Sequence, residues 1–174
     1  MFNLYNFVAY QIAWFAAILG AAHGHAWAGI AVALLVTGAH LWLRAQALEF
    51  RLVIAAAFMG IVVDNLLVAT SQVRFASAGG LPFAPLWMLG LWIAFATTLN
   101  HSMLWLMRRP WTAALGGAIF GPLAYLAGEK LGALTLPTPV TSLPLLAVLW
   151  TAVMVVFSLM LRPAALPAAR SMTT

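Results

Sequence analysis

Cysteine is absent from this chain of 174 residues, and charged residues are scarce. Without a thiol, a disulfide framework, thiolate catalysis and cysteine-based metal sites are all excluded. Charged residues make up 6% of the chain, whereas a soluble domain carries about 25%. Only three of the charged residues are acidic. The composition therefore excludes a separate soluble domain and favours a single bundle in a membrane.

The chain is instead rich in long apolar runs, with 65% hydrophobic residues and a mean hydropathy of +1.02. A helix of about 20 residues crosses a hydrocarbon core of about 30 Å. The alternating pattern of membrane β-strands is absent. We predict an all-α, polytopic transmembrane helix bundle of six spans, at roughly residues 2–21, 26–43, 51–70, 86–107, 111–132 and 143–162.

The positions of the prolines and the character of the two terminal segments agree with this count of spans. Eight of the nine prolines fall outside the spans or in a first or last turn, and only Pro122 is internal, where we expect a kink. The first span lacks the basic region of a signal peptide, so we expect it to be retained. Residues 1–162 should form a single bundle, and residues 163–174 a short cytoplasmic tail.

The eight basic residues predict the orientation of the bundle. A pI near 10.9 would also suit a nucleic-acid partner, but the basic residues lie at the ends of spans, so we expect no such partner. Arg74 and Lys130 belong to one side of the predicted topology, and the other six belong to the side that holds both termini. The positive-inside rule then places both termini in the cytoplasm.

Of the residues in the predicted spans, Asp64 is the least favourable to insert into a membrane. An aspartate in the middle of a helix raises the free energy of insertion by about 3 kcal/mol. Ten Leu, Ile, Val and Phe residues between Leu52 and Val68 outweigh this cost, so the span should still insert. Asp64 must then face the bundle interior, a partner or water. The candidate partners are Lys130, Tyr125 and Asn65. A structural hydrogen bond or ion pair and a role in handling protons or a substrate both remain open.

Glu129 lies near the same outer level as Asp64. Tyr125 precedes it by four residues, shares its helix face and is a candidate donor to it. Arg74 is a second candidate partner for Glu129. Lys130 either reaches Asp64 or extends to the membrane interface.

A second polar group is predicted near the cytoplasmic side, where Asn100 and His101 interrupt the fourth span. The other residues expected at that level are Asn3, Asn6, His40 and Thr97. A neutral buried histidine bonded to Asn or Thr is one interpretation of His101. A general base or a ligand site is the other.

No motif in the sequence predicts a metal centre or a cofactor. The spacing His23-x-His25 is a weak signal, and further ligands would have to come from distant helices. Ser102 beside His101 does not form a dyad, because neighbouring residues on a helix diverge. No nucleophile elbow, phosphate loop or zinc-protease motif is present. We therefore expect no metal and no cofactor, and we leave the question of enzymatic activity open.

Small residues follow a regular spacing in the fifth span, at Gly117, Gly121, Gly128 and Gly132. Small residues four apart allow helices to approach closely in lipid. We predict that Gly121 and Gly128 face another helix. Trp92, inside the fourth span, is predicted to pack in the bundle rather than to stack on a ligand.

Two motifs carry a resemblance to a known family. They are Trp87-x4-Trp92-x2-Phe95-x3-Leu99-Asn100-His101-Ser102 and Gly121-Pro122-x2-Tyr125-x2-Gly128. With them the chain resembles, over nearly its whole length, the bacterial inner-membrane protein family catalogued as domain of unknown function 2878. The resemblance implies a multi-span protein of the bacterial inner membrane. Members resemble products encoded beside cyclopropane-type fatty-acid synthases, which implies a link to membrane-lipid modification or envelope stress.

These observations support two functional hypotheses from different classes. The first is an inner-membrane accessory or scaffold protein whose partners are the lipid bilayer and a membrane-lipid-modifying enzyme. The second is a small permease or proton-coupled carrier that uses Asp64, Glu129 and His101. The carrier requires Asp64 and His101 to line a shared, water-accessible cavity, whereas the scaffold is compatible with two sealed polar contacts.

Overall fold

The computed structural model describes residues 2–76 and 82–162. Over these ranges the chain forms seven helices and two short strands. They are α1 (Phe2–Ala22), α2 (Ala26–Leu43), α3 (Ala47–Ala69), β1 (Arg74–Phe75), α4 (Leu86–Leu99), α5 (Leu104–Met107), α6 (Pro110–Lys130), β2 (Leu134–Thr135) and α7 (Pro139–Met160). The predicted all-α fold is confirmed. The predicted tail at residues 163–174 lies outside the described residues.

Five helices, α1, α2, α3, α6 and α7, are long and apolar enough to cross a membrane. Large apolar side chains such as Leu35, Trp42 and Phe58 point outward from the bundle, as expected when lipid rather than water surrounds a protein. Two helices begin well before their predicted starts: α3 begins at Ala47 rather than at residue 51, and α7 begins at Pro139 rather than at residue 143. The earlier start of α7 makes Pro144 a second internal proline beside Pro122, which corrects the expectation of a single one.

The predicted fourth span is not one continuous helix. It divides into α4 and α5, with turns at residues 100–103. The hydroxyls of Thr97 and Thr98 each donate to the carbonyl three residues earlier, at 2.7 Å. The backbone N–H groups of His101 and Met103 both bond to the Thr98 carbonyl. Polar side chains that bond to nearby backbone compete with helix continuation, which explains why the helix stops where the apolar run becomes polar.

Helix α4 occupies the centre of the bundle. It packs against α1, α2 and α3, and eleven of its fourteen residues are buried. Helices α1 and α2, α3 and α4, and α6 and α7 form three antiparallel pairs, each joined by a short connection or a loop at one end.

The two ends of the bundle differ in character. At one end β1 pairs with β2 antiparallel, with Arg74 opposite Thr135 and Phe75 opposite Leu134. We call this the sheet end. Arg44 and Arg108 mark the other end, which we call the basic end. The pairing of β1 with β2 was not predicted, since strands of two residues have no readable period.

The glycines of α6 make close helix contacts, as predicted. A Cβ atom at Gly117 would collide with the Trp150 carbonyl of α7, and one at Gly121 would collide with the Trp150 indole. A Cβ at Gly128 would lie 3.2 Å from Leu134 and 3.6 Å from Ile18 of α1. Small residues therefore bring α6 against α7 along one face and let it approach α1 near the sheet end.

Candidate functional site

Two buried polar clusters interrupt the apolar interior, one around Asp64 and one around Glu49. They lie at different levels, since Glu49 is in the first turn of α3 and Asp64 is near its other end. Each carboxylate is 1% exposed. A buried carboxylate is costly unless it is paired or hydrogen-bonded, so the partners of each one decide what the cluster can do.

Asp64 accepts two hydrogen bonds from aromatic side chains. The Trp92 indole Nε1 donates to Oδ2 at 2.7 Å, and the Tyr125 hydroxyl donates to Oδ1 at 2.5 Å. Tyr125 was among the predicted partners. Lys130 was another, but it is exposed. Asn65 was the third, but its side chain instead donates to the Ile61 carbonyl. Asp64 thus links α3, α4 and α6 through two neutral donors.

Trp92 also packs flat against α7. Its ring stacks on Trp150 with centroids 4.8 Å apart and planes 9° apart. Gly60 of α3 makes room for it, since a Cβ atom there would collide with the indole ring. The predicted packing role of Trp92 is confirmed.

Glu129 is separate from Asp64 and has a different kind of partner. Its Oε1 accepts a hydrogen bond from the backbone N–H of Leu136 at 2.7 Å. The predicted contacts with Arg74 and Tyr125 are wrong. The segment after α6 includes β2, which pairs with β1. The backbone N–H of Leu136, just after β2, therefore lies next to Glu129 and occupies its Oε1 in place of a side-chain donor. In the described ranges no Arg or Lys forms an ion pair with a carboxylate.

The second cluster surrounds Glu49 at the basic end. His40 Nε2 lies 3.0 Å from Glu49 Oε2, and His101 Nε2 lies 3.2 Å from Oε1. The Asn100 side chain donates to Oε1 at 2.8 Å. Three separate parts of the chain therefore converge on one carboxylate: the end of α2, the start of α3 and the turn after α4.

Aromatic contacts hold the two imidazole rings of this cluster. The rings of His40 and His101 meet edge to face with centroids 4.9 Å apart. Phe2 packs edge to face on His101 at 5.0 Å and is tilted against His40 at 6.2 Å. The guanidinium of Arg44 lies 4.1 Å from the centre of the Phe2 ring. Phe2 thus separates Arg44 from the two histidines and restricts their rotation.

Asn6 holds the other side of the α4–α5 break. Its side-chain amide donates to the Thr97 carbonyl at 3.0 Å, and its Oδ1 accepts from the Ser102 hydroxyl at 2.7 Å. Ser102 and His101 point to different partners, as expected for neighbours. The prediction that Asn3 joins this level is wrong, because Asn3 is exposed.

Glu49 is the site residue that the sequence analysis missed. The predicted third span began at residue 51, so Glu49 was treated as part of a loop. Two signals were available. It is one of only three acidic residues in the chain, so it needed a partner, and an acidic residue is favoured in the first turn of a helix because of the helix dipole. Glu49 was not considered as a ligand when the sequence was taken to predict no metal site.

A lateral groove of about 540 Å³ lies between α1 and α6. Neither Asp64 nor His101 is among the residues that line it. Residues of α4, of the α4–α5 break, of α5 and of α7 complete its lining. Its walls are apolar and aromatic, with Phe7, Tyr10 and Trp14 from α1, Phe120 and Ala124 from α6, Phe95 from α4, and Trp150 and Met154 from α7. Phe7 and Phe120 are 47% and 58% exposed, so the groove opens sideways, toward the surroundings of the bundle.

The helices, the apolar outer surface and the buried polar clusters define an all-α, multi-pass integral membrane protein. The chain belongs to the family described as "Protein of unknown function (DUF2878)", whose model matches residues 3–156. The resemblance read from the sequence is thereby confirmed. No curated protein and no solved structure matches the chain.

Proposed function

We propose that this protein is an accessory component of the bacterial inner membrane that holds a phospholipid acyl chain and serves membrane-lipid modification or the response to envelope stress. In this proposal both termini lie in the cytoplasm, as the distribution of Arg and Lys predicts. The basic end is then the cytoplasmic end.

The observation that carries the proposal is the lateral groove. Its volume of about 540 Å³ falls in the range of about 300–1,000 Å³ that small-molecule sites occupy. Its length runs along α1 and α6, from Phe7 near the basic end to Trp14. A mostly apolar groove between membrane-crossing helices fits an acyl chain better than a polar solute.

Three features favour lipid as the occupant. The groove opens sideways between membrane-crossing helices, where acyl chains are the surrounding solvent. Its aromatic walls at Tyr10, Trp14 and Trp150 give flat surfaces for dispersion contacts along a chain. Of the polar groups that line it, Thr98 and Ser102 lie toward the basic end, where a headgroup would be, and Gln11 lies near the middle of α1.

The link to lipid modification comes from the family resemblance, through the neighbourhood of cyclopropane-type fatty-acid synthases. An enzyme that modifies the middle of an acyl chain needs access to a chain that lies in the bilayer. A membrane protein that holds one chain away from its neighbours supplies a presentation surface for such an enzyme. The partner in this proposal is a membrane-lipid-modifying enzyme that acts on acyl chains.

The alternative, a proton-coupled carrier, has less support. It needs Asp64, Glu129 and His101 along one water-accessible path. Asp64 is sealed by two aromatic donors, Glu129 is bound to a backbone N–H, and His101 faces Glu49. These are three separate polar contacts, which is the arrangement that favours the scaffold hypothesis.

The experiment is photo-crosslinking with a phosphatidylethanolamine that carries a diazirine in one acyl chain, in membranes that contain the wild-type protein. The test variant is Ala124→Phe, which fills the groove wall. The matched control is Ala31→Phe, because Ala31 is exposed on α2 and does not line the groove. Crosslinked peptides are identified by mass spectrometry, and folded yield is followed by gel filtration.

The expected result is labelling of groove residues in the wild type and in Ala31→Phe, with a loss of about tenfold in Ala124→Phe, the equivalent of about 1.4 kcal/mol. Uniform labelling around the bundle would mean that lipid only surrounds the protein. Labelling confined to outward-facing side chains, with none in the groove, would mean that the groove holds no acyl chain. Either result overturns the acyl-chain proposal. Lipid analysis of a deletion strain then tests the link to modification separately.

A further inference from the structure

We propose that His40, Glu49 and His101 form a binding site for a divalent first-row transition metal ion, with Zn²⁺ as the reference ion. The site lies at the basic end, apart from the lateral groove, and it does not depend on lipid binding. It is assembled from α2, the first turn of α3 and the turn that follows α4.

The donor set has the right chemistry. Imidazole nitrogen suits Zn²⁺, Fe²⁺, Co²⁺ and Ni²⁺, and a carboxylate oxygen completes many such sites. Two histidines and one carboxylate are a recurring set, in which the open positions are left to water or substrate. Glu49 presents both of its oxygens toward imidazole nitrogens, so it can bind an ion with one oxygen or with two.

The distances suit a shared ion. Ligand atoms of the three residues lie within 4.8 Å of one another. Neighbouring ligands about 2.0–2.1 Å from an ion are separated by about 3 Å at right angles and about 3.4 Å in a tetrahedron. The separations of 3.0 Å for His40 and 3.2 Å for His101 from Glu49 fall between these values. These two separations end on different oxygens of Glu49, so rotation of the rings and of the carboxylate would bring the two nitrogens together around one ion.

The surroundings support the ligands. Asn100 donates to Glu49 Oε1 at 2.8 Å and fixes the carboxylate, as partners of metal ligands commonly do. Phe2 contacts both imidazole rings. The ligands are therefore restricted to a few orientations before an ion arrives, which reduces the ordering cost of binding.

Charge gives a further reason for a cation here. Glu49 is 1% exposed, and in the described residues no Arg or Lys forms an ion pair with it. Arg44 packs over Phe2 instead. Thr37, one turn before His40 on α2, is buried with a hydroxyl that has no hydrogen-bond partner among the described side chains and backbone. A buried hydroxyl of this kind calls for a partner such as a bound water molecule.

The test is a Co²⁺ titration of tag-free protein in detergent, followed by the visible absorption of the bound ion. Tag-free protein is required because a polyhistidine tag binds the same metals. The test variants are His40→Ala, His101→Ala and Glu49→Gln. The matched control is the double variant His23→Ala/His25→Ala, which removes the two other histidines of the chain. Asn100→Ala tests the supporting hydrogen bond.

The expected result for wild type and control is saturation near one equivalent of Co²⁺, with absorption that Zn²⁺ abolishes. The three ligand variants should lose the absorption, and Asn100→Ala should bind about 10- to 100-fold more weakly. Absence of saturable absorption in the wild type overturns the proposal, and so does its persistence in the ligand variants or its loss in the control. If a ligand variant fails to fold, thermal stabilisation of the wild type by Zn²⁺ decides the question.

Discussion

The Trp92 indole N–H donates to Asp64 Oδ2 at 2.7 Å, while the same ring stacks on Trp150. One side chain therefore satisfies a buried carboxylate of α3 and fills the space between α4 and α7. Tyr125 completes the arrangement from α6. The polar and apolar parts of the core are coupled at this residue, so a change at Asp64 should also be felt in the packing of the aromatic rings.

Replacement of Asp64 tests whether this coupling stabilises the bundle. In Asp64→Asn the amide oxygen accepts from Trp92, and the Tyr125 hydroxyl reverses its role and accepts from the amide nitrogen, so the loss should be small. In Asp64→Leu both donors are orphaned, at a cost of about 1–3 kcal/mol each. Thermal unfolding in detergent, followed by tryptophan fluorescence, should rank wild type and Asn above Leu. Equal stability of the Leu and Asn variants would contradict this role.

Gly60→Ala should destabilise the bundle through the same tryptophan. The added Cβ collides with the Trp92 indole, and overpacking of this kind costs about 1–3 kcal/mol. Gly38→Ala is the matched control. Gly38 is also a helical glycine, but a Cβ added there would meet nothing within 4 Å. Unfolding temperatures in detergent measure both variants. If Gly60→Ala is as stable as Gly38→Ala, the close approach of α3 to Trp92 is not required.

Loss of the Glu129 carboxylate should loosen the sheet end. Glu129→Ala leaves the Leu136 N–H without its acceptor, and a hydrogen bond of this kind contributes about 0.5–1.5 kcal/mol. Hydrogen exchange should accelerate in the peptide that contains residues 131–138, whereas Glu129→Gln keeps an acceptor and should exchange like the wild type. Lys130→Ala serves as control, since Lys130 is exposed next to it. Unchanged exchange in Glu129→Ala would show that the bond does not hold this segment.

The orientation can be tested by thiol labelling, because the chain has no cysteine of its own. Ala45→Cys is exposed at the basic end, and Pro137→Cys is exposed at the sheet end. A membrane-impermeant maleimide applied to cells with a permeabilised outer membrane should label Pro137→Cys only, if the basic end is cytoplasmic. Both variants should react after lysis. Labelling of Ala45→Cys before lysis would reverse the predicted topology.

Local composition predicted much of this fold, and relations between distant residues account for what it missed. Apolar runs located the membrane-crossing helices because each run must satisfy its own backbone hydrogen bonds in lipid. For Asp64 the sequence left three candidate partners. Two of them, Tyr125 and Lys130, lie on α6, and the rotation of α6 about its own axis decides which of the two side chains faces Asp64. Rotation depends on Gly117 and Gly121 fitting against Trp150, which is a three-dimensional contact.

The cluster around Glu49 at the basic end shows a different limit of sequence reasoning. His101 and His40 were recognised as possible neighbours, but Glu49 was assigned to a loop by a helix boundary placed too late. Helix ends are the least certain part of any such prediction, because apolar runs fade gradually. The break after Leu99 was hidden for a related reason. Three consecutive polar residues are compatible with a continuous helix, and only their partners on α1 and α3 reveal that the helix has ended.

The central position of α4 has a consequence for the order in which the protein is assembled. Helix α4 has fourteen residues and is about 21 Å long at about 1.5 Å per residue, which is shorter than the hydrocarbon core. Synthesis delivers α1, α2 and α3 first. Until α4 arrives, Glu49 and Asp64 lack Asn100, His101 and Trp92. A chain that stalls before residue 86 would thus hold both carboxylates without these partners, and of the side-chain partners described above Glu49 would keep His40 alone.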